Sequence, residues 1–234
     1  MHSKSPRIAL IHATPLATEP ISKAFAQHWP QADAMHLLDS TLSQDLAKAG
    51  SLTPAMVQRF EDLALYAQRQ GAEGILFTCS AFGPAIEAAQ RATGLPTLKP
   101  NEAMFEDALA GAQPGKPWRV GMVATFAATI PALTQEFEAL VQSRGLKVSV
   151  HSQLASGAME DLAQGQTDVH HRKVVQALKL LPEVDVVMLA QFSMSGALSQ
   201  AQAVSTCPVL SSPDCAALMM KRLMMNKMLQ QQSS

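Results

Sequence analysis

Surplus charge is the first thing this sequence lacks: 18 Lys and Arg stand against 19 Asp and Glu, a formal net charge of −1 over 234 residues. So balanced a chain has no electrostatic case for nucleic acid or an anionic membrane as partner. It also lacks any apolar run approaching the length of a spanning helix, so no membrane association is expected. Cysteine is scarce. Cys79, Cys207 and Cys215 have no framework spacing, which predicts a reducing, cytoplasmic setting rather than a disulfide scaffold. No zinc-ligand spacing is present, and no metal is expected. The opening, Met1-His2-Ser3-Lys4-Ser5-Pro6, runs straight into a strand-like stretch, which argues against a signal peptide.

What the chain does have is apolar residues, 47% of the total, enough to fill two small cores. It also reads as one unit used twice. Arg7-Ile8-Ala9-Leu10-Ile11 lies over Arg119-Val120-Gly121-Met122-Val123 at an offset of 119 − 7 = 112. Thr18-Glu19-Pro20 lies over Thr129-Ile130-Pro131 at 129 − 18 = 111. Gly74–Cys79 over Val186–Gln191, and Pro96-Thr97-Leu98 over Pro208-Val209-Leu210, both fall at 112. A period this long marks a duplicated domain, not a solenoid.

Strand-like apolar runs occur at 7–12, 34–38, 74–78, 96–98, 119–124, 147–150, 185–190 and 208–210, with helical patterns between them. Thr53-Pro54 opens one helix, whose stripe is Met56, Val57, Phe60, Leu63, Ala64 and Ala67, and Gly71 closes it. Leu133, Phe137, Leu140 and Val141 repeat the pattern in the second half. Apolar strands alternating with helices predict an α/β protein of two similar doubly wound parallel-sheet domains. The expected division is residues 1–113, completed by a C-terminal helix over 213–229, and residues 114–212, with the boundary near Ala112-Gln113-Pro114-Gly115. The Met-rich tail (Met219, Met220, Met224, Met225 and Met228) reads as that closing helix packed on the core. His170 and His171 read as an exposed helix start.

Cys79 ends the apolar run Ile75-Leu76-Phe77-Thr78, and Ser80-Ala81-Phe82-Gly83 leads into a helical stretch. Such a strand end carries a side chain to the mouth of an α/β sheet. A thiol beside a helix N-terminus there can have a lowered pKa and serve as base or nucleophile. Cys207 and Cys215, at the start of a strand and inside a helical stretch, read as packing residues.

With these features in view, the chain resembles the aspartate/glutamate/hydantoin racemase superfamily over roughly residues 7–215. The resemblance is sharpest in Phe77-Thr78-Cys79-Ser80-Ala81 and Gly121-Met122-Val123-Ala124-Thr125. Val187-Met188-Leu189-Ala190-Gln191-Phe192-Ser193-Met194 has the shape of the family's second Cys motif. The resemblance implies two domains related by a pseudo-two-fold, a site in the cleft between them, no cofactor, and a small carboxylate as substrate. It also makes a homo-oligomer compatible with the chain. Two departures stand out. Gln191 occupies the place of the second Cys, and His12 stands where amino-acid racemases of this family often carry Asp.

From these residues the expected catalytic set is Cys79 as base, His12 within reach of it, and Gln191 as a hydrogen-bonding partner. A neutral amide has no exchangeable acid proton to offer. The expected substrate-binding set is Thr14, Ser80, Ala81, Thr125, Phe192, Ser193 and Met194. Their hydroxyls and backbone N–H groups would hold a carboxylate and a developing enolate. Phe82 and Phe126 join Phe192 as candidate pocket-lining rings, and Lys99 is the candidate cation. The resemblance points to proton abstraction and return beside a carboxylate. With one Cys, decarboxylation with stereospecific protonation, cis–trans isomerisation of an unsaturated diacid, and acid binding without catalysis remain open.

Overall fold

The computed structural model of the protein describes residues 5–232; the part of the N-terminal reading that falls on Met1–Lys4 lies outside them. The chain divides into two compact units, 5–103 with 216–232, and 104–215. The first contains β1 (Arg7–His12), α1 (Thr18–His28), β2 (Asp33–Leu38), α2 (Leu42–Ala49), α3 (Pro54–Arg69), β3 (Gly74–Phe77), α4 (Gly83–Thr93) and β4 (Thr97–Leu98). Then come α5 (Glu102–Leu109), β5 (Pro117–Ala124), α6 (Thr129–Ser143), β6 (Lys147–Leu154), α7 (Ala158–Ala163), α8 (Thr167–Leu178), β7 (Val186–Leu189), α9 (Leu198–Val204), β8 (Val209–Ser211) and α10 (Ser212–Gln232).

Both sheets have four parallel strands and the same topology, β2-β1-β3-β4 and β6-β5-β7-β8. The inner strands carry unbroken apolar runs, and Ile8–Ile11, Gly74–Phe77, Val120–Ala124 and Val186–Leu189 are all buried. That is what helices on both faces require. The edge strands β2 and β6 are only partly covered and mix polar with apolar residues. β6 runs four residues past the apolar run that predicts it, through His151, Ser152, Gln153 and Leu154, because an edge strand tolerates half-exposed polar side chains.

Local chemistry sets the helices. Thr53 caps α3 by accepting the Met56 N–H, and Pro54 occupies the first turn. Met56, Phe60, Ala64 and Ala67 are buried, and Phe60 stacks on Phe77 and Phe82 with ring centroids 5.2 and 4.8 Å apart. Each such ring contributes roughly 1.5–3 kcal/mol by leaving water. Phe82 is therefore a core residue. Met220 and Met224 of α10 are buried against β3: a Cβ added at Gly74 would lie 3.0 and 3.2 Å from their sulfurs. Only a glycine gives that helix so close an approach.

One expectation fails here. His170 is fully buried, and neither ring nitrogen has a partner among the described residues. It shares a buried face of α8 with Val174 and Ala177, positions i, i+4 and i+7 of one stripe. Burial and the neighbouring His171 hold its pKa below the ordinary value, against an opposing pull from Asp161. No described helix is long and apolar enough to cross a membrane.

Candidate functional site

In the order β2-β1-β3-β4 the chain leaves β1 toward one edge of the sheet and β3 toward the other. The paired ends of β1 and β3, Ile11 opposite Phe77, are thus a topological switch point. Open α/β sheets present ligand-binding loops at such points. His12, Ala13 and Thr14 follow from β1; Thr78, Cys79 and Ser80 follow from β3. The second unit repeats the arrangement with β5 and β7, bringing Thr125 and Gln191 to matching strand ends.

Cys79 is half-buried and precedes a 3-10 turn, Ser80–Phe82, that leads into α4. Burial pushes its thiol above the ordinary value. Hydrogen bonds from the Ala81 N–H and the Ser43 hydroxyl oppose the shift without reversing it. The lowered pKa expected from the helix end is therefore not what these surroundings give: desolvation of the anion outweighs one short turn and two hydrogen bonds. The thiol is protonated at neutral pH. Beside the protonated thiol the single Ser43 proton goes to the Ala13 carbonyl at 2.9 Å, tying α2 to the loop after β1; it turns to Cys79 only when the sulfur ionises. Ser80 and Ala81 are exposed, and Thr14 is half-buried with its hydroxyl receiving the Leu16 N–H at 3.4 Å.

His12 is buried, and both its nitrogens are engaged. Nδ1 lies 2.8 Å from Thr78 Oγ1, and Nε2 lies 3.0 Å from His36 Nδ1. A Cys–His thiolate pair is not what these contacts make. Burial and the adjacent His36 lower the His12 pKa to about 4, and burial lowers that of His36, so both rings are neutral at pH 7.

A pH dependence of stability follows. The unfolded chain takes up protons at these histidines near 6.5, whereas folded His12 resists until about 4. Between those values the unfolded state binds more protons, so stability is complete above pH 6.5 and declines as pH falls toward 4. The expected loss from His12 by pH 4 is roughly 3 kcal/mol, seen in urea midpoints measured across that window. His36 and His170 add with the same sign, so the His12 share is the difference between wild type and His12→Gln.

In the second unit, half-buried Gln191 is fixed at both ends. Its Oε1 accepts the Thr125 N–H at 3.1 Å, and its Nε2 donates to Thr129 Oγ1 at 3.0 Å. Thr125 is buried, and its hydroxyl has no partner among the described residues. Phe192 and Ser193 are half-buried in the turn after Gln191. Met194 is core, and its N–H is taken by the Gln191 carbonyl at 3.0 Å, so it is not a free donor. Phe126 is exposed.

The expected cation is also engaged: Lys99 pairs with Glu87 at 2.6 Å. Arg59, on α3, is held by Asp39 and Asp45. Cys207 is half-buried, 3.5 Å from Ser205 Oγ. Cys215 is buried, and its thiol is pushed up by burial and by nearby Asp107. Sequence reasoning missed His36, Ser43 and Thr129. Only Thr129 left a trace, in the repeat that aligns it with Thr18.

The model of the Asp/Glu/Hydantoin racemase family matches residues 8–220. Among solved structures, allantoin racemase from Klebsiella pneumoniae superposes with a TM-score of 0.67 at 20% identity, covering 95% of this chain and 89% of that one. A glutamate racemase isoform from Bacillus anthracis gives 0.65 at 15% identity, covering 96% and 84%. Unliganded arylmalonate decarboxylase gives 0.60 at 20%, covering 94% and 93%. At such identities the likeness is one of fold. No curated protein matches the chain by sequence.

Proposed function

Because the chain belongs to the Asp/Glu/hydantoin racemase family, we propose that it moves a proton at a carbon beside a carboxylate, with Cys79 as the proton-carrying group. The observation that carries this reading is the position of Cys79: a half-buried sulfur at the switch point of the first sheet, with the Ala81 N–H and the Ser43 hydroxyl in reach to hold its thiolate. Abstraction of an α-proton generates an enolate, whose oxygens require fixed donors. The exposed Ser80, after β3, and the half-buried Thr14, after the adjacent β1, supply hydroxyl donors at these strand ends. Lys99 and Arg59 are committed to ion pairs, so in this reading carboxylate recognition falls to those neutral donors.

A second reading, decarboxylation, is favoured by two observations. Cys79 is protonated at neutral pH because burial raises its pKa, and a protonated thiol suits delivery of a proton to a carbanion left by loss of CO2. The amide of Gln191 stands where the family carries a second Cys, and it cannot exchange a proton. Proton delivery from one face alone matches decarboxylation better than racemisation.

The test is a screen in deuterated water followed by NMR. Single-enantiomer amino acids, hydantoin-type acids and substituted malonates are incubated with the protein. Racemase chemistry replaces the α-proton of a monoacid by deuterium and scrambles its handedness. Decarboxylation converts a malonate to a monoacid carrying one deuterium in one configuration. Binding without exchange or CO2 loss across the panel would contradict both and leave an acid-binding protein.

A further inference from the structure

The hydrogen bonds around His12 continue beyond it. His36 Nε2 lies 3.2 Å from Ser22 Oγ, and Ser22 Oγ donates to the Thr18 carbonyl at 2.7 Å. That last contact sets the direction of every other. A serine hydroxyl has one proton, and a carbonyl only accepts. Ser22 has therefore spent its proton on Thr18 and must accept from His36. A neutral His36 with its proton on Nε2 offers a lone pair at Nδ1, so His12 donates from Nε2. Neutral His12 then has a lone pair at Nδ1, and the Thr78 hydroxyl, 2.8 Å from it and 3.4 Å from the Ile11 carbonyl, gives its one proton to the nearer acceptor. Both imidazole tautomers follow from one backbone carbonyl four residues before Ser22.

One added proton inverts the order. A charged His36 donates from both nitrogens, so His12 must accept at Nε2 and carry its own proton on Nδ1. Thr78 then accepts from His12, and its hydroxyl proton turns to the Ile11 carbonyl, 3.4 Å away. Every group stays satisfied in both states.

We propose that Ser22, His36 and His12 form a directional relay that orients Thr78, the residue before Cys79, and that protonation of His36 reverses it. His36 is the port, since it sits exposed on the edge strand β2 whereas His12 is buried. The rings stack at 5.2 Å with planes 13° apart, a geometry that keeps His12 Nε2 against His36 in either state. The elements packed against β2 carry few other charges. On β1 they are His12 and Arg7, the latter bound to Asp33 of β2 at 2.7 Å. On α1 they are Glu19 and Lys23, bound to each other at 2.7 Å, and His28 in the last turn. Beyond the end of β2, Asp39 is bound to Arg59. His36 is thus a positioning residue acting on Cys79 through His12 and Thr78. Its bearing on catalysis rests on the reading of Cys79 above; the relay itself does not.

Long-range proton–nitrogen NMR of the uniformly ¹⁵N-labelled full chain reads the tautomers directly. At pH 8 both His12 and His36 should show protonated Nε2 and bare Nδ1. On acidification His36 should gain its second proton while the two nitrogens of His12 exchange roles. Ser22→Ala, a mild change on a helix surface, should leave the pH 8 tautomers of both rings mixed. Bare Nε2 on His12 at pH 8, a His12 pattern unchanged while His36 titrates, or fixed tautomers in Ser22→Ala would each overturn the relay. Loss of activity in Cys79→Ala leaves these signals untouched, so failure of the relay and failure of the catalytic reading are told apart.

Discussion

Replacing Cys79 by alanine is expected to lower kcat by at least about 10³-fold on whichever acid the exchange screen identifies, with the fold retained. The reasoning is chemical. Without the sulfur, no side chain immediately following β1 or β3 carries a proton at workable pH. Thr14, Thr78 and Ser80 are alcohols, and His12 is neutral with both nitrogens committed. The structural cost is small because Cys79 is half-buried and alanine leaves a gap of one atom; about 1 kcal/mol is expected. Cys79→Ser is the sharper control. It keeps the shape and the contacts to Ala81 and Ser43 while raising the group's pKa far beyond a thiol's, and it should be nearly as inactive. Steady-state kinetics beside urea unfolding separates lost chemistry from lost structure. A Cys79→Ala enzyme retaining a tenth or more of wild-type kcat would remove the sulfur from the mechanism.

The second large effect is expected at Gln191. Its amide joins the Thr125 N–H at the end of β5 to the Thr129 hydroxyl at the start of α6. Gln191→Leu leaves a buried N–H without an acceptor and a hydroxyl without its donor, at an expected cost of about 2–3 kcal/mol in unfolding free energy. Gln191→Glu should cost within about 1 kcal/mol, since a carboxylate still accepts from Thr125 and the Thr129 hydroxyl can rotate to donate. If this strand end also orients substrate, Gln191→Leu lowers kcat by about tenfold beyond any loss of folded protein, the scale of one misplaced hydrogen bond. Equal stability of the two variants would contradict the role given to these contacts.

The fold was legible because its signals are additive. Four matches near one offset, 112, announced two copies of one unit, and each copy has the same strand order. The α3 stripe from Met56 to Ala67 and its Thr53-Pro54 start could be read because periodicity and capping are local. Where polar residues enter an element, the signal weakens. β6 continues through His151, Ser152 and Gln153, which look like a loop, and His170 reads as surface because a histidine on a buried helix face violates the usual pattern.

The site was legible only in part, for the same reason. Cys79 could be placed because an apolar strand ends there. What surrounds it could not. His12 meets Thr78 across 66 positions of sequence, and Gln191 meets Thr125 across 66. Pairings that distant leave no periodic trace. His36 lies on an edge strand and Ser43 on a short helix, where polar residues are ordinary. The direction of the Cys79 shift was missed because a helix end suggests a lowered pKa, while burial, invisible in the sequence, acts more strongly.

The most direct test of Cys79 as the proton carrier is the rate of α-deuterium wash-out from the identified acid as a function of pH. If Cys79 is the base, its raised pKa predicts a rate that climbs about tenfold per pH unit through neutrality and is still rising at pH 9, and that vanishes in Cys79→Ala. If it serves as the acid for a decarboxylated carbanion, turnover holds level over the same range and falls only when the thiol ionises, again vanishing in Cys79→Ala. Either profile persisting in the Cys79→Ala protein would contradict the account.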